Sequence, residues 1–436
     1  LRKRKYTGQR EELVKNLHHS KVLHTIDERE QICDNCGSTM VKVGEEFVRT
    51  EVQFIPAKLK VIDHYRETYE CRSCRKNGTP YMEKAPVPYP PVLHSLASAS
   101  TITWLIHQKF ELSIPLYRQE KEWEALGLRL SRATMSNWLL VVYRDWLVHI
   151  VHRLKLELLK QRYLHIDETH VQVLKEPGRK NTSDSYMWVY CSIRDAVNPI
   201  RYFEYQPGRS GKYPEAFLRE YEGYIHTDAY SGYNAVSGVK RCLCYTHLRR
   251  AFVDALPKDI HNSEASKPAE AILRLNQFFN IESELEALPP DQKKKERLIR
   301  EKPLLEAFWS WAEKSAIGEL PKSKLSKAFH YALNNREGFW NYLEDGNCSI
   351  SNSLAENCIR PFVIGRKNWL FSGSPKGAEA SAGIYTLVET AKANGLAPMK
   401  YIKYILSDMP GSAFLEHPEY LDDYLPWNPL VKEFCR

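Results

Sequence analysis

The chain has 436 residues, and its 62 Lys and Arg against 54 Asp and Glu leave a net charge of +8. That length allows about three domains of 100–200 residues each, and the charge suits a polyanionic partner without requiring one. No apolar run reaches the ~18 residues needed to span a bilayer and no signal peptide is visible, which argues against a membrane protein and leads us to expect a cytoplasmic one.

Residues 1–30 open on Leu1-Arg2-Lys3-Arg4-Lys5 and form a basic linker. Residues 31–85 hold Cys33-Asp34-Asn35-Cys36-Gly37 and Cys71-Arg72-Ser73-Cys74-Arg75, two C-x-x-C knuckles separated by strand-like sequence from Glu46 to Phe54 and from Lys58 to Tyr69. Cys33, Cys36, Cys71 and Cys74 suit a structural Zn²⁺ in a four-cysteine zinc ribbon. A disulfide or redox pair is the competing reading, which a reducing cytoplasm disfavours. Cys191, Cys242, Cys244, Cys348, Cys358 and Cys435 show no second metal spacing.

After Pro86-Val87-Pro88-Tyr89-Pro90-Pro91, residues 86–158 form a helical segment. Pro115 starts one helix, Leu126-Gly127 ends it, and Ser131 caps the next, which carries Arg132 and Asn137 near its N-terminus. This resembles a helix-turn-helix, whose second helix reads base edges in DNA. A plain helical hairpin packed on a core has the same pattern.

Residues 159–254 read as strand, strand, strand, helix, strand, helix start and a further strand. In the first strand, alternation puts Asp167 and Thr169 on one face and Glu168 on the other. Asp228 closes Gly223-Tyr224-Ile225-His226-Thr227-Asp228, at a strand end where α/β sheets build their sites. A helix then opens with His247, Arg249 and Arg250, which are either phosphate contacts or a solvated amphipathic face. Residues 255–345 are helical and charged. Their Phe308, Trp309, Trp311, Phe339 and Trp340 suit a core, and Lys293, Lys294 and Lys295 a solvated face.

Residues 346–408 contain Asn352-Ser353-Leu354-Ala355-Glu356-Asn357-Cys358-Ile359-Arg360-Pro361 and then Gly365-Arg366-Lys367-Asn368. Glu356 stands on a short helix among cations and amides. It is either the third member of an acid cluster, a capping-box residue with Ser353, or an ion-pair partner of Arg360. Arg360, Arg366, Lys367 and Asn368 are candidate DNA-backbone contacts, or a solvated basic loop. Residues 409–436 form a C-terminal appendage. Acids on a first strand, after a fourth strand and on a later helix follow the order of an α/β ribonuclease H-like core, here with a helical insertion.

The motifs Asp167-Glu168-Thr169, Thr227-Asp228-Ala229-Tyr230-Ser231-Gly232-Tyr233, His247-Leu248-Arg249-Arg250-Ala251-Phe252, Ala355-Glu356-Asn357-Cys358-Ile359-Arg360-Pro361 and Gly365-Arg366-Lys367-Asn368-Trp369-Leu370-Phe371 resemble those of the insertion sequence 66 family of bacterial DDE transposases, in the family's order. Asn357 stands where a basic residue is more usual, and Tyr245-Thr246 where Trp-Ala is common. The resemblance implies a catalytic triad of Asp167, Asp228 and Glu356, with Asp167 bridging two Mg²⁺ or Mn²⁺ ions and the other acids each holding one. It further implies cleavage and strand transfer of an insertion sequence, element-end and target DNA as partners, a nucleoid-associated location, and a homo-oligomer, in the simplest case a dimer. Hard divalent ions prefer oxygen donors, and two of them can activate the attacking oxygen and stabilise the leaving one at phosphorus. A non-catalytic zinc-containing DNA-binding relative and a ribonuclease H-like nuclease without strand transfer are the alternatives. The family usually carries a helical segment ahead of such a basic opening, so the resemblance implies a chain that starts late.

Overall fold

The computed structural model describes residues 14–15, 18–52, 57–257 and 266–436. The basic opening and the last two residues, 53–54, of the first predicted strand lie outside them. The chain divides into two compact units, residues 1–58 and 59–436.

In the first unit the Cys33 knuckle is a tight turn. Gly37 N–H donates to Cys33 O at 2.8 Å, Cys33 N–H donates to Ser38 O at 2.9 Å, and Gly37 takes φ +69°, which glycine adopts without strain. Residues 46–52 form no strand, against the sequence expectation, and Phe47, Val48 and Val52 are exposed.

The second unit begins with a similar correction, since residues 59–67 form no strand. Only β1 (Thr68–Glu70) pairs, antiparallel to β2 (Met82–Lys84), with α1 (Arg72–Lys76) between them and Cys71 at its N-cap. Alternating apolar residues favour a strand, but a strand persists only with a partner edge and a surface to bury one face.

Helices α2 (Ala99–Ile106), α3 (Leu116–Ala125), α4 (Arg132–Val142) and α5 (Val148–Leu159) follow. The turn between α3 and α4 is as the sequence suggests. Gly127 takes φ +94°, and Ser131 Oγ accepts from Thr134 N–H at 3.1 Å. The apolar faces of these helices join the main core through Trp123, Met135, Trp138 and Leu154.

The central sheet comprises β3 (Tyr163–Val173), β4 (Asp184–Ser192), β5 (Arg201–Gln206), β6 (Gly223–Thr227) and β7 (Val239–Leu243), in the spatial order β5-β4-β3-β6-β7. The first three form an antiparallel meander, and β6 and β7 run parallel to β3 and to each other. Helix α6 (Lys212–Phe217) and a 3₁₀ turn at Ser231–Ala235 meet one face through Phe217, stacked on Tyr190 at 3.6 Å, and Tyr233, edge-on to Trp188.

Helix α7 (Tyr245–Val253) leads into the insertion, α8 (Lys267–Glu284), α9 (Pro290–Ala316), α10 (Lys324–Asn334) and α11 (Arg336–Trp340). These close a second hydrophobic core around Phe252, Phe278, Trp309, Phe329 and Phe339, joined to the sheet by Tyr224, Cys242 and Leu243. Lys294 and Lys295 are exposed as expected, whereas Lys293 pairs with Glu282 at 3.4 Å.

The chain returns through α12 (Ser353–Trp369), which packs on β3 and β4, and β8 (Phe371–Ser372). Helix α13 (Pro375–Ala393) covers the outer edge of β5, and α14 (Pro398–Asp408) and α15 (Pro429–Cys435) complete the main core. Thr386 Oγ1 accepts from Phe203 N–H at 2.8 Å and Thr390 Oγ1 from Arg201 N–H at 3.1 Å. Four helical residues rise ~6 Å and two strand residues ~6.8 Å, so hydroxyls one turn apart match alternate amides of the edge and block further strand pairing. No described helix is long and apolar enough to cross a membrane.

Candidate active site

Strand β3 pairs with β6 only at Tyr163, Leu164 and His165, and its next partner on that edge is β8 at Gln172 and Val173. Between these points the strands part. The N-cap of α12 and one of its side chains serve the carbonyls left behind: Asn352 Nδ2 donates to Ile166 O at 2.8 Å, and Arg366 Nη1 donates to His170 O. Asp167 stands in this opening.

Alternation decides which way it faces. His165 Nδ1 lies 3.0 Å from Asn352 Oδ1, and Arg366 Nη1 donates to Thr169 Oγ1 at 2.9 Å, so the face shared by residues 165, 167 and 169 is the one covered by α12. Glu168 points the other way. Its carboxylate accepts from Arg209 Nε at 2.6 Å and from the Tyr233 hydroxyl.

Asp228 follows β6 directly. Its Oδ1 accepts from Tyr230 N–H at 3.0 Å, a local turn that Arg241 secures by donating to Asp228 O at 2.5 Å, Tyr230 O at 2.8 Å and Thr227 Oγ1 at 2.7 Å. The other oxygen, Oδ2, is 3.9 Å from Arg209 Nη2.

Glu356 lies in the first turn of α12, which runs 17 residues and continues through Pro361. The short helix and basic loop of the sequence expectation are therefore one long helix. The capping box is absent too, since the N-cap is Asn352, whose side chain is committed to His165 and Ile166. Glu356 forms no ion pair with Arg360 among the described residues. Instead Glu356 Oε1 faces His247 Nδ1 at 3.7 Å, and both atoms are buried without a hydrogen-bond partner among the described residues. A buried polar atom left unpartnered costs ~1–3 kcal/mol.

These acids act on one another. Burial first, then the charge of Glu168 and those of Asp228 and Glu356, pushes the Asp167 pKa from 3.8 up to about 7. Burial also raises Glu168, against the pull of Tyr233 and Arg209. The Cys244 side chain raises the His247 imidazole above its ordinary value, while burial opposes it. Burial works against ionisation of Cys244, yet His247 and the Asn352 amide bring its thiol below the ordinary value.

A cleft of about 350 Å³ opens beside Asp228, lined also by Arg209, Tyr230, His247, Arg250 and Tyr331. Asp167 and Glu356 are not on its walls. Arg250 and His247 face it, while Arg249 turns away and donates to Asn276 Oδ1 at 2.8 Å. Arg360 and Lys367 are exposed on α12, Arg366 is spent on β3, and Asn368 Nδ2 donates to Ile364 O at 3.1 Å. Arg132 and Asn137 are exposed on α4.

Three residues escaped the sequence reading. Arg209 sits in an ordinary Gly-Arg-Ser-Gly loop and Arg241 in a strand, and nothing local marks either. Cys244 did carry a signal, since Cys244 and His247 have a C-x-x-H spacing. The expectation of no second metal spacing is therefore corrected. The thiol of Cys244, a ring nitrogen of His247 and a carboxylate oxygen of Glu356 lie within 4.8 Å of one another.

The family model described as Transposase IS66 family matches residues 94–380, and the zinc-finger binding domain of transposase IS66 matches residues 30–75, which include Cys33, Cys36, Cys71 and Cys74. Uncharacterized protein y4hP of Sinorhizobium fredii is 26% identical over 417 residues, 91% of this chain and 73% of its own length. Uncharacterized protein y4qI of the same organism is 27% identical over 434 residues, 94% of this chain and 76% of its own. With more than half of its length under the transposase pattern and the zinc-finger domain ahead of it, the chain belongs to the IS66 family of transposases.

Proposed function

We propose that the protein is a DDE transposase with a ribonuclease H-like core, in which Asp167, Asp228 and Glu356 hold two Mg²⁺ or Mn²⁺ ions for DNA strand cleavage and strand transfer at the ends of an insertion sequence. The observation that carries this reading is the convergence of Asp167 on β3, Asp228 just after β6 and Glu356 in the first turn of α12, close enough that the charges of the other two act on the half-buried Asp167 carboxyl. Such crowding is a poor way to stabilise a fold and a good preparation for hard cations. The sheet order supports the fold assignment: counted from β3, the strands lie third, second, first, fourth, fifth. The acids come from the first strand, the loop after the fourth and a later helix.

The donor set is all oxygen and drawn from three elements, which fits Mg²⁺ or Mn²⁺. When bound, the ions would supply Lewis-acid activation of the attacking and leaving oxygens. In this reading Arg250 and His247 meet a backbone phosphate entering the cleft. Arg360 and Lys367 extend that contact along α12, and Arg132 and Asn137 on α4 approach base edges. Glu168 and Arg209 keep the Asp228 loop in position. By their paired C-x-x-C spacing, Cys33, Cys36, Cys71 and Cys74 of the zinc-finger domain would supply the four thiolates that suffice for a structural Zn²⁺. Joining two element ends requires more than one protomer, so a homodimer is the simplest active form.

The test is transfer of a pre-cleaved element end into plasmid DNA with Mg²⁺, comparing the full chain with Glu356→Gln. Loss of transfer in the variant with DNA binding retained is the expected result. Transfer that survives in Glu356→Gln removes Glu356 from the site. DNA binding without any strand chemistry in either protein replaces the enzyme with a binding protein.

A further inference from the structure

We propose that Cys244, His247 and Glu356 form a second metal site, selective for a borderline-soft divalent ion such as Zn²⁺, whose occupation shuts off Mg²⁺-dependent strand chemistry. The binding half stands on the geometry alone. The inhibitory half rests on the reading of Glu356 as a ligand of the hard cations.

The three donors come from separate places in the chain. Cys244 is the N-cap of α7, His247 lies in its first turn, and Glu356 enters from α12. Their ligand atoms lie within 4.8 Å of one another, with His247 Nδ1 and Glu356 Oε1 at 3.7 Å. Donors around a tetrahedral Zn²⁺, with bonds of about 2.0–2.3 Å, are about 3.3–3.6 Å apart, so closure needs only small side-chain movements. Both the imidazole nitrogen and the carboxylate oxygen are buried without a partner among the described residues, and they face each other.

The surroundings suit a ligating thiolate. Asn352 N–H donates to Cys244 Sγ at 3.1 Å, the kind of outer contact that orients a metal-bound sulfur. His247 also borders the cleft beside Asp228, which provides an entry path. Three protein ligands leave a fourth position for water.

Thiolate and imidazole disfavour Mg²⁺ and favour Zn²⁺ or Co²⁺, so the two candidate sites differ in chemistry while sharing one carboxylate. A soft ion drawn to Cys244 and His247 takes Glu356 with it, and Asp167 and Asp228 are left without their third partner.

The probe is Co²⁺, titrated into the full chain with zinc already resident in its zinc-finger domain and read by the thiolate-to-cobalt absorption in the near ultraviolet. The expected result is a band in the wild-type minus Cys244→Ser difference spectrum, together with Co²⁺ binding at least about tenfold weaker in His247→Gln, since removing a direct ligand costs no less than disturbing an outer one. Asp167→Asn should keep the band. Identical spectra for wild type and Cys244→Ser overturn the site. Should Cys244→Ser fail to fold by circular dichroism, unchanged Co²⁺ affinity in His247→Gln overturns it instead. Neither measurement uses DNA, so a protein that takes up Co²⁺ here yet never cleaves with Mg²⁺ defeats the transposase reading and leaves the site standing. Micromolar Zn²⁺ without effect on Mg²⁺-dependent cleavage overturns the inhibitory role.

Discussion

Replacing Asp167 by Asn should make the metal-free protein more stable above neutral pH. Asparagine keeps the oxygen that accepts Glu168 N–H at 2.9 Å, and nearly the same shape, while removing a charge from a crowded site. The wild-type carboxyl has its pKa raised from 3.8 to about 7. Between those values the native chain retains a proton that the unfolded chain has released, so stability falls as pH rises through the window, and the full penalty is present above it. At ~1.4 kcal/mol per tenfold change in proton affinity the penalty is ~4 kcal/mol. Water and local relaxation around a carboxylate that is not wholly buried bring the expected gain to ~2–3 kcal/mol. Urea unfolding in EDTA at about pH 8 should show it as a raised midpoint with unchanged slope, and at about pH 4.5 the difference should shrink to ~1 kcal/mol. Mg²⁺ should then offset the difference by stabilising wild type, by ~2.7 kcal/mol at a hundredfold excess over its dissociation constant, and the variant far less. A variant that is less stable than wild type in EDTA at high pH would refute the electrostatic account, and an equal response to Mg²⁺ would remove Asp167 from the ligand set.

The neighbouring acid separates from Asp167 by activity: Asp167→Asn should abolish Mg²⁺-dependent cleavage, whereas Glu168→Gln, which disturbs only the Arg209 and Tyr233 contacts, should cost no more than ~10–100-fold. Complete loss in Glu168→Gln alone would reverse the register. Arg297 is fully buried and donates to both Glu282 oxygens and to the carbonyls of Tyr342, Asp345 and Cys348 just ahead of α12, so Arg297→Met should cost ~3–5 kcal/mol in chemical unfolding, and a change near zero would contradict that anchoring role. Elemental analysis should find at least about one zinc per chain in purified protein, and a metal-free sample with an intact fold would count against the four-cysteine site. DNA affinity should fall steeply with salt, and Arg250→Ala should lower the slope of log K against log salt by ~1 while Arg249→Ala, already bonded to Asn276, leaves it unchanged.

Much of the core could be read before any coordinates. The succession of elements from β3 to β7 along the chain, the Ser131 cap and the opposed faces of Asp167 and Glu168 depend on short-range patterns, period-two alternation and cap chemistry, and these appear as expected. Local patterns also misled. Alternation between the two cysteine knuckles suggested long strands, yet among the described residues there only the short β1 forms, because little of that sequence finds a partner edge. The Ser353 to Glu356 spacing matched a capping box, but Asn352 takes the N-cap, and its side chain is drawn to β3 instead. The Gly365 to Asn368 run looked like a loop because it is basic and glycine-bearing, yet it is the last part of α12, with Gly365 facing Tyr385 and Arg366 bonded to Thr169.

The kinds of acid, their order along the chain and the faces they occupy on their own elements are properties of neighbouring residues, and so they were legible in the amino-acid string. Which partners those acids meet was settled by contacts between distant segments: β6 leaving β3 after His165, Asn352 and Arg366 of α12 serving the carbonyls thus freed, Arg209 crossing to Glu168, and Cys244 and His247 arriving beside Glu356. Burial and Coulomb interactions act through space, so the charge state of Asp167 and the unpartnered oxygen of Glu356 exist only once the sheet and its covering helices have closed.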